Sequence, residues 1–213
     1  MKRKKGNIFV KFICITAFCA VTFMGFCEAV AQDLSQNLVR IHVIANSNSD
    51  FDQSVKLAVR DCIIKEANTL AGDMPLTLEA VNAQKKKLEH AANRLLNERG
   101  ASYSCRIETG RFSFPTRQYA NITLPQGDYD AVRVILGKGA GENWWCVMYP
   151  PLCFLQSAKG ESTEALSNSI SPVTERIIDT GEVKLKPSIK AIELWQAFKK
   201  KIENQNLQLT FVN

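Results

Sequence analysis

The spacing of apolar residues changes along the chain and predicts several kinds of secondary structure. Residues 39–43 alternate apolar and polar side chains, which predicts a strand. From about Ser49 to Leu70, apolar residues recur at three- and four-residue steps, which predicts a helix with one apolar face. Thr77 can cap a second helix, and Gly100 suits the position just after its last turn.

After Gly100 the apolar period shortens to two residues, which predicts several short strands, the last of them Ala131–Leu136. Residues 156–175 are polar and predict an exposed linker after a main domain at 32–155. The segment 176–213 is expected to pack on the main domain through a final helix. Its predicted apolar side is Ile189, Ile192, Leu194, Trp195 and Phe198. The order of elements predicts one α+β domain: an N-terminal strand, two helices, a largely antiparallel sheet and a C-terminal helix.

The N-terminus has the three parts of a secretory signal peptide. Lys2–Lys5 are basic, Phe12–Phe26 carries no charge, and Ala29–Ala31 is a small-x-small site. Residues 1–31 are therefore predicted to be removed between Ala31 and Gln32. An uncleaved anchor is the alternative, but the uncharged run of 15 residues is shorter than the roughly twenty that span a bilayer.

Removal of this segment changes the charge and the cysteine count. It takes five of the 27 basic residues and one of the 21 acidic ones, so the net charge falls from +6 to +2. A nucleic-acid-binding protein is therefore not predicted.

Four cysteines remain in the exported chain, and sequence alone permits three pairings. Cys146–Cys153 is the expected disulfide, with Cys62–Cys105 as a second pair. The chain contains no C-x-x-C motif, so no metal site is predicted.

The stretch GENWWCVMYPPLCFL, residues 141–155, concentrates aromatic residues, prolines and two of these cysteines. Pro150 and Pro151 exclude a helix interior. We expect a reversal that presents Trp144, Trp145 and Tyr149, with one tryptophan buried and the other exposed if the segment is a strand. Core packing is the alternative explanation for these aromatic residues.

Evidence for catalysis is sparse. A cysteine nucleophile would need His42 or His90 as its base. Asp128 and Asp130 lie beside Gly127 in a predicted turn, and turn chemistry accounts for them. The chain contains no nucleotide-binding motif and no zinc-hydrolase motif, so neither a catalytic residue nor a cofactor is predicted. A secreted hydrolase, cysteine-dependent or acting on the cell wall, stays open as an alternative.

Two long segments carry a family resemblance. RIHVIANSNSDFDQSVKLAVRD (Arg40–Asp61) and GDYDAVRVILGKGAGENWWCVMYPPLCFL (Gly127–Leu155) closely resemble the stage II sporulation protein R family of endospore-forming bacteria. The likeness extends more loosely to Ala191–Gln196.

The resemblance implies a signalling protein rather than an enzyme. It would be made in the forespore, secreted into the space between the two sporulation membranes, and meet the membrane only through export. Its implied partner is the membrane-embedded aspartic protease of the mother cell that processes pro-sigma-E, with no small-molecule substrate. The hypothesised partner contacts are Trp144, Trp145, Tyr149, Pro150 and Pro151, with Asn46–Asp52 as an alternative surface.

Overall fold

The structure is a computed structural model, and it describes residues 2–72, 75–119, 121–152, 166–179 and 187–210. In chain order its elements are α1 (Lys2–Asn37), β1 (Val39–Ile44), α2 (Asp50–Ala71), α3 (Leu78–Ala83), α4 (Lys85–Glu98), β2 (Cys105–Phe114), β3 (Arg117–Tyr119), β4 (Ile122–Leu124), β5 (Gly127–Leu136), β6 (Asn143–Tyr149), α5 (Pro172–Ile178) and α6 (Pro187–Thr210). The predicted α+β class is confirmed.

A four-stranded sheet in the order β2-β5-β1-β6 forms the centre of the fold, and β3 and β4 make a separate two-stranded sheet. β1 is parallel to β5, while the β1–β6 and β2–β5 pairs are antiparallel. The main sheet is therefore mixed, with two antiparallel pairings out of three. β1 is an inner strand, and β2 and β6 lie at the two edges.

Helices cover both faces of this sheet. Alternate residues of a strand point to opposite faces, so each strand contributes side chains to two cores. On one face, Ile41 and Val43 are buried in a core that includes residues of α2, α3 and α4. On the other face, Ala131 and Val147 are buried in a second core that includes residues of α1, α5 and α6. The domain is thus a helix–sheet–helix sandwich.

The predicted helix starts are confirmed, but the second predicted helix is in fact two. Ser49 caps α2 by accepting the Asp52 N–H bond, and Thr77 caps α3 by accepting that of Ala80. α3 ends at Gln84, whose N–H is shared between the carbonyls of Ala80 and Val81. This tightened turn separates α3 from α4.

Most of the predicted polar linker at 156–175 lies outside the described residues, which resume at residue 166. In the described part, the prediction of an exposed linker is wrong. Leu166, Ile170 and Thr174 are buried. Leu166 and Ile170 belong to the second core. The serines between these buried residues hid their burial in the sequence.

The final helix packs on the domain, but its predicted apolar side is only partly buried. Ile189 and Ile192 lie in the core, whereas Leu194 and Phe198 are 65% and 53% exposed. α6 contacts α1 through Trp195, whose indole N–H donates to Glu28 over 2.9 Å.

Helix α1 is continuous through the predicted signal-peptide cleavage site. Its apolar part is compatible with a signal peptide, and among the described helices Phe9–Asn37 is long and apolar enough to cross a membrane. Ala31 and Gln32 lie well inside the helix, and their neighbours Val30 and Leu34 are buried in the second core. Cleavage between Ala31 and Gln32 stays a prediction.

The end of α1 is expected to stabilise the domain. Leu34 is fully buried, whereas Gln36 is exposed on the same turn. Leu34→Ala should lower the free energy of unfolding by about 3 kcal/mol through the lost transfer energy and the cavity. Gln36→Ala, the matched control, should change it by less than about 0.5 kcal/mol. Denaturant titration of the two variants measures the difference, and equal effects would show that α1 does not pack as described.

Candidate functional site

The aromatic residues singled out in the sequence lie on β6, the edge strand beside β1. The segment is not a helix, as predicted, and Asn143–Tyr149 forms a strand whose Trp144 and Trp145 point to opposite faces of the sheet. The expectation of one buried and one exposed tryptophan is wrong, because both are half-buried. Both faces of the sheet are covered by helices, so neither side of the strand is fully open to solvent.

Trp145 belongs to a stacked aromatic cluster on the α1/α6 face. Its ring stacks on His42 with the centroids 3.6 Å apart and the planes at 14°, and Phe114 meets it edge-on at 5.0 Å. Beyond Trp145 lies an open groove of about 880 Å³ beside α6, lined also by Gln196 and Lys200. Trp145 therefore combines a fixed ring orientation with access from outside.

Trp144 lies on the opposite face, where the Arg60 guanidinium sits 4.6 Å from its ring centroid. This cation–π contact holds the ring against α2. The indole Nε1 of Trp144 is buried and has no hydrogen-bond partner within the described ranges. An unpaired buried N–H is costly, so the burial of this nitrogen lowers the stability of the fold.

The chain after β6 does not protrude as expected. Tyr149 is half-buried and packs on the first core. Pro150 is buried, Pro151 is half-buried and Leu152 is 2% exposed. The prolines do mark a turn. This turn lies against the domain, because Leu152 is buried in the second core.

Sequence reasoning missed Arg40, which lies against Phe114 of the same aromatic cluster and is fully buried. Its guanidinium lies 4.2 Å from the Phe114 ring centroid and 4.8 Å from that of Tyr129, and its Nη2 donates to the Tyr119 hydroxyl over 3.0 Å. Nε and Nη1 have no hydrogen-bond partner in the described part of the chain. The alternation of β1 places Arg40 on the same face as His42, which is the signal that could have identified it.

The two segments that carry the family resemblance are hydrogen-bonded to each other at one end of the sheet. We name residues 45–49 and 137–142 the motif loops. The N–H of Lys138 donates to Asn46 Oδ1 over 3.0 Å, and that of Glu142 donates to Asn48 Oδ1 over 2.7 Å. β1 and β5 are parallel, so the loops that follow them meet at the same edge. The motif loops form one rigid unit directly before β6.

Asp52 holds the motif loop after β1 from within the protein. Its carboxylate is buried and accepts hydrogen bonds from Ser47 (2.5 Å), Tyr103 (2.5 Å) and Asn46 (2.9 Å). Burial alone would raise the pKa of this carboxyl, but these hydrogen bonds outweigh it and the pKa is lowered. Asp52 is therefore a structural carboxylate rather than a proton donor.

The glycines of the second motif loop are required by its backbone conformation and by its close contact with the first motif loop. Gly137 and Gly139 have φ values of 52° and 61°, which favour glycine. A Cβ on Gly141 would overlap the carbonyl group of Ser47. The Gly137–Gly141 cluster thus permits close approach of the two loops, and no phosphate is needed to explain it.

No cysteine–histidine pair capable of hydrolysis forms in the described residues. Cys146 lies on the α2–α4 face, whereas His42 stacks on Trp145 on the other face. His90 is exposed on α4. Burial lowers the pKa of His42, and nearby Arg133 lowers it further, against a hydrogen bond with Asn143 that raises it.

The acidic residues considered earlier do not form a catalytic pair. Asp128 lies 3.7 Å from Lys200 of α6 in an exposed ion pair. Both Asp128 and Asp130 lie within strand β5 rather than in a turn. The described residues hold no cluster of three or more potential metal ligands.

The predicted Cys62–Cys105 disulfide is wrong, because both residues are free thiols. Cys62 is half-buried beside charged side chains of α2 and α4, including Glu66 and Arg94. Cys105 is buried at the start of β2, where burial, with Glu89 and Cys62 nearby, raises the pKa of its thiol to about 12. The helix face of Cys62 borders the core rather than entering it.

Cys146 is disulfide-bonded. Its predicted partner Cys153 lies outside the described residues, so the pairing of these two cysteines stays a prediction.

The site is thus an aromatic surface on an edge strand, and the described residues hold no cysteine–histidine pair within reach of each other. Residues 35–159 match the sequence profile described as Stage II sporulation protein R. A protein of that name from Bacillus subtilis (strain 168) is 34% identical over 165 residues, covering 71% of this chain and 74% of its own length. The chain belongs to the Stage II sporulation protein R family. No solved structure matches it.

The contact between the motif loops is testable at Gly141. Gly141→Ala should destabilise the protein by about 2 kcal/mol or more, because the added methyl group meets backbone that has little room to move. Gly110→Ala on β2 is the matched control, since the nearest atom to its new Cβ would be 3.7 Å away. Thermal unfolding compares them, and equal melting temperatures would contradict the described contact.

Asp52 gives a prediction about pH. Its folded-state pKa is lowered, so its carboxylate stabilises the fold above the unfolded-state pKa of about 4 and loses that contribution as the pH falls further. Asp52→Asn should cost about 2 kcal/mol at pH 7. The difference between wild type and variant should shrink below about pH 4. Unfolding curves from pH 7 to pH 3 measure it, and a constant difference would show that Asp52 is not ionised in the fold.

Proposed function

We propose that this protein is a sporulation signal, exported from the forespore, that activates the mother-cell membrane aspartic protease processing pro-sigma-E. Family membership supports the sporulation role, since the matched residues 35–159 include both motif loops and β6. The observation that carries the proposal is the pairing of a rigid aromatic strand with interlocked loops. Such a surface suits binding to another protein, and the described residues offer no group placed to do chemistry.

The protease contact is proposed to centre on the sheet edge where β6 leaves the second motif loop. Asn143 is exposed there, and Trp144 and Trp145 follow it as half-buried side chains. Tryptophan is enriched among residues that dominate binding energy. Their rings are already held by Arg60 and His42, so little side-chain freedom would be lost on binding.

The alternative of a secreted hydrolase has little structural support. Cys146 is disulfide-bonded and lies on the face of the sheet opposite to His42, while His90 is on a separate exposed surface. A cysteine hydrolase needs the nucleophile and its base within hydrogen-bonding distance. We therefore propose no enzymatic activity.

A processing assay tests the contact at Trp144. Trp144→Ala should reduce pro-sigma-E processing about tenfold or more, as expected when an interface residue contributes over about 1.4 kcal/mol. Since Trp144 is half-buried, melting temperature must be measured beside processing. The assay uses the purified protein added to membranes that contain the protease and pro-sigma-E.

Phe112→Ala is the matched control. Phe112 is half-buried on β2, the opposite edge of the sheet, with the Arg133 guanidinium 4.3 Å from its ring centroid. It should lose stability much as Trp144→Ala does yet retain processing. Equal losses of processing in both variants would show that Trp144 acts through folding, and a wild-type protein without effect on the protease would overturn the proposed function itself.

A further inference from the structure

The last turn of the predicted signal peptide is packed into the folded domain. Cys27 and Val30 are 2% and 3% exposed in the second core, and Ala31 packs against the same core. Phe26, one residue earlier, is 45% exposed. Residues 27, 30 and 31 are three and four positions apart, so they form one face of helix α1. This face fills a groove in the domain, and the predicted cut after Ala31 would remove it.

A carboxylate ties the same turn to helix α6. Glu28 accepts a hydrogen bond from the indole N–H of Trp195 over 2.9 Å and another from the ammonium group of Lys199 over 2.7 Å. The hydrogen bond from Lys199 lowers the pKa of Glu28, so the two side chains form an ion pair at neutral pH. Glu28 is the partner that the described residues give to both donors.

Removal of the signal peptide therefore opens the domain at this place. Ile192 of α6 belongs to the core that Cys27 and Val30 fill, and this core loses their cover. Trp195 and Lys199 lose the carboxylate that binds them. An apolar groove edged by unpaired polar groups is a feature of surfaces that bind other proteins.

We propose that the groove vacated by residues 27–31 is a docking site for a short helix of the partner protein. That helix carries one acidic side chain beside apolar side chains spaced three and four residues apart. The removed turn shows what fits, since it supplies this pattern with Cys27, Glu28, Val30 and Ala31. Helices that bind in grooves are recognised through anchors of this spacing. The identity of the partner as the mother-cell protease rests on the proposed function.

Helix α6 supports this proposal because part of its apolar side is not covered by the described domain. Leu194 and Phe198 are 65% and 53% exposed and lie about one turn apart. The half-buried Trp195 lies between them in the sequence, with its ring centroid 6.0 Å from that of Phe198. Lys199 follows directly. An apolar helix with a negative charge complements this surface in both polarity and charge.

The vacated groove also borders the proposed contact on β6. Lys199 lines the open groove of about 880 Å³ beside Trp145, and the same side chain reaches Glu28. A helix docked in place of residues 27–31 would therefore lie next to the proposed protease contact. One partner can cover both surfaces.

A labelled peptide of residues 20–31, with a lysine tag for solubility and Cys27→Ala to prevent disulfide exchange, is the probe. It is titrated against the exported protein, whose start at Gln32 is verified by mass, and fluorescence anisotropy should show saturable binding. Val30→Ala in the peptide should weaken binding about tenfold through lost apolar burial. Val21→Ala is the matched control, because Val21 is 65% exposed, and it should leave the affinity unchanged.

Three results of this titration would overturn the proposal. Equal weakening by both valine substitutions would show non-specific adsorption of an apolar peptide. Absence of binding would show that the groove closes or is not formed in the exported protein. An exported chain that keeps residues 1–31 would show that the groove is never vacated.

The ion pair is tested by a double-mutant cycle. Glu28→Gln in the peptide should weaken binding about tenfold, because hydrogen bonds to a charged carboxylate are lost. Lys199→Ala in the protein should weaken it similarly, and the two changes together should cost less than their sum. Lys201→Ala is the control, since Lys201 is exposed on the same helix, and it should leave the affinity unchanged. Fully additive losses would contradict the docked position.

The same peptide distinguishes failure of the groove from failure of the proposed function. Added to the processing assay, it should inhibit pro-sigma-E processing by competing with the protease, while the Val30→Ala peptide at the same concentration should not. Binding without inhibition would overturn the assignment of the groove to the protease. A wild-type protein without effect on the protease overturns the proposed function instead, and the binding measurements are independent of that result because they use no protease.

Discussion

The pairing of β1 on both of its edges is the constraint on which the rest of the structure depends. Its neighbours are β5 on one side and β6 on the other, and Ile41 and Arg40 are both fully buried on opposite faces. A strand buried on both faces needs a helical layer on each side. α2, α3 and α4 supply one layer, and α1, α5 and α6 supply the other. The N-terminal helix is thus included in the domain by the same requirement that fixes the sheet.

Local sequence predicted the helices and strands of this fold far better than it predicted the packing around them. The cap at Ser49 and the periodic face of α2 depend on neighbouring residues alone, so both could be found. The break between α3 and α4 at Gln84 could not be found, because no glycine or proline marks it in the sequence. The exposure of Leu194 and Phe198 depends on where α6 crosses α1, which no helical period encodes.

The candidate site shows the same division between local and long-range information. The absence of a helix at Asn143–Tyr149 followed from the prolines that come directly after it, whereas the strand itself was only one of the conformations left open. The half-burial of both tryptophans required the sheet order and the helices on each face, which involve residues as distant as Arg60 and Phe114. Arg40 was missed because a charged residue in an alternating strand is normally assigned to solvent. Here aromatic rings and a tyrosine hydroxyl surround its guanidinium instead.

The order of strands along the chain also affects when the domain can form. β1 is the first strand to be synthesised, yet Arg40 pairs with Ala131 and with Val147, roughly a hundred residues later. Closing such long loops is slow and cannot start until the later strands exist. Until β5 and β6 have been synthesised, β1 therefore has no sheet to join. Completion of the sheet is thereby delayed until the chain has extended through β6, although the helices between β1 and β2 depend on local sequence alone.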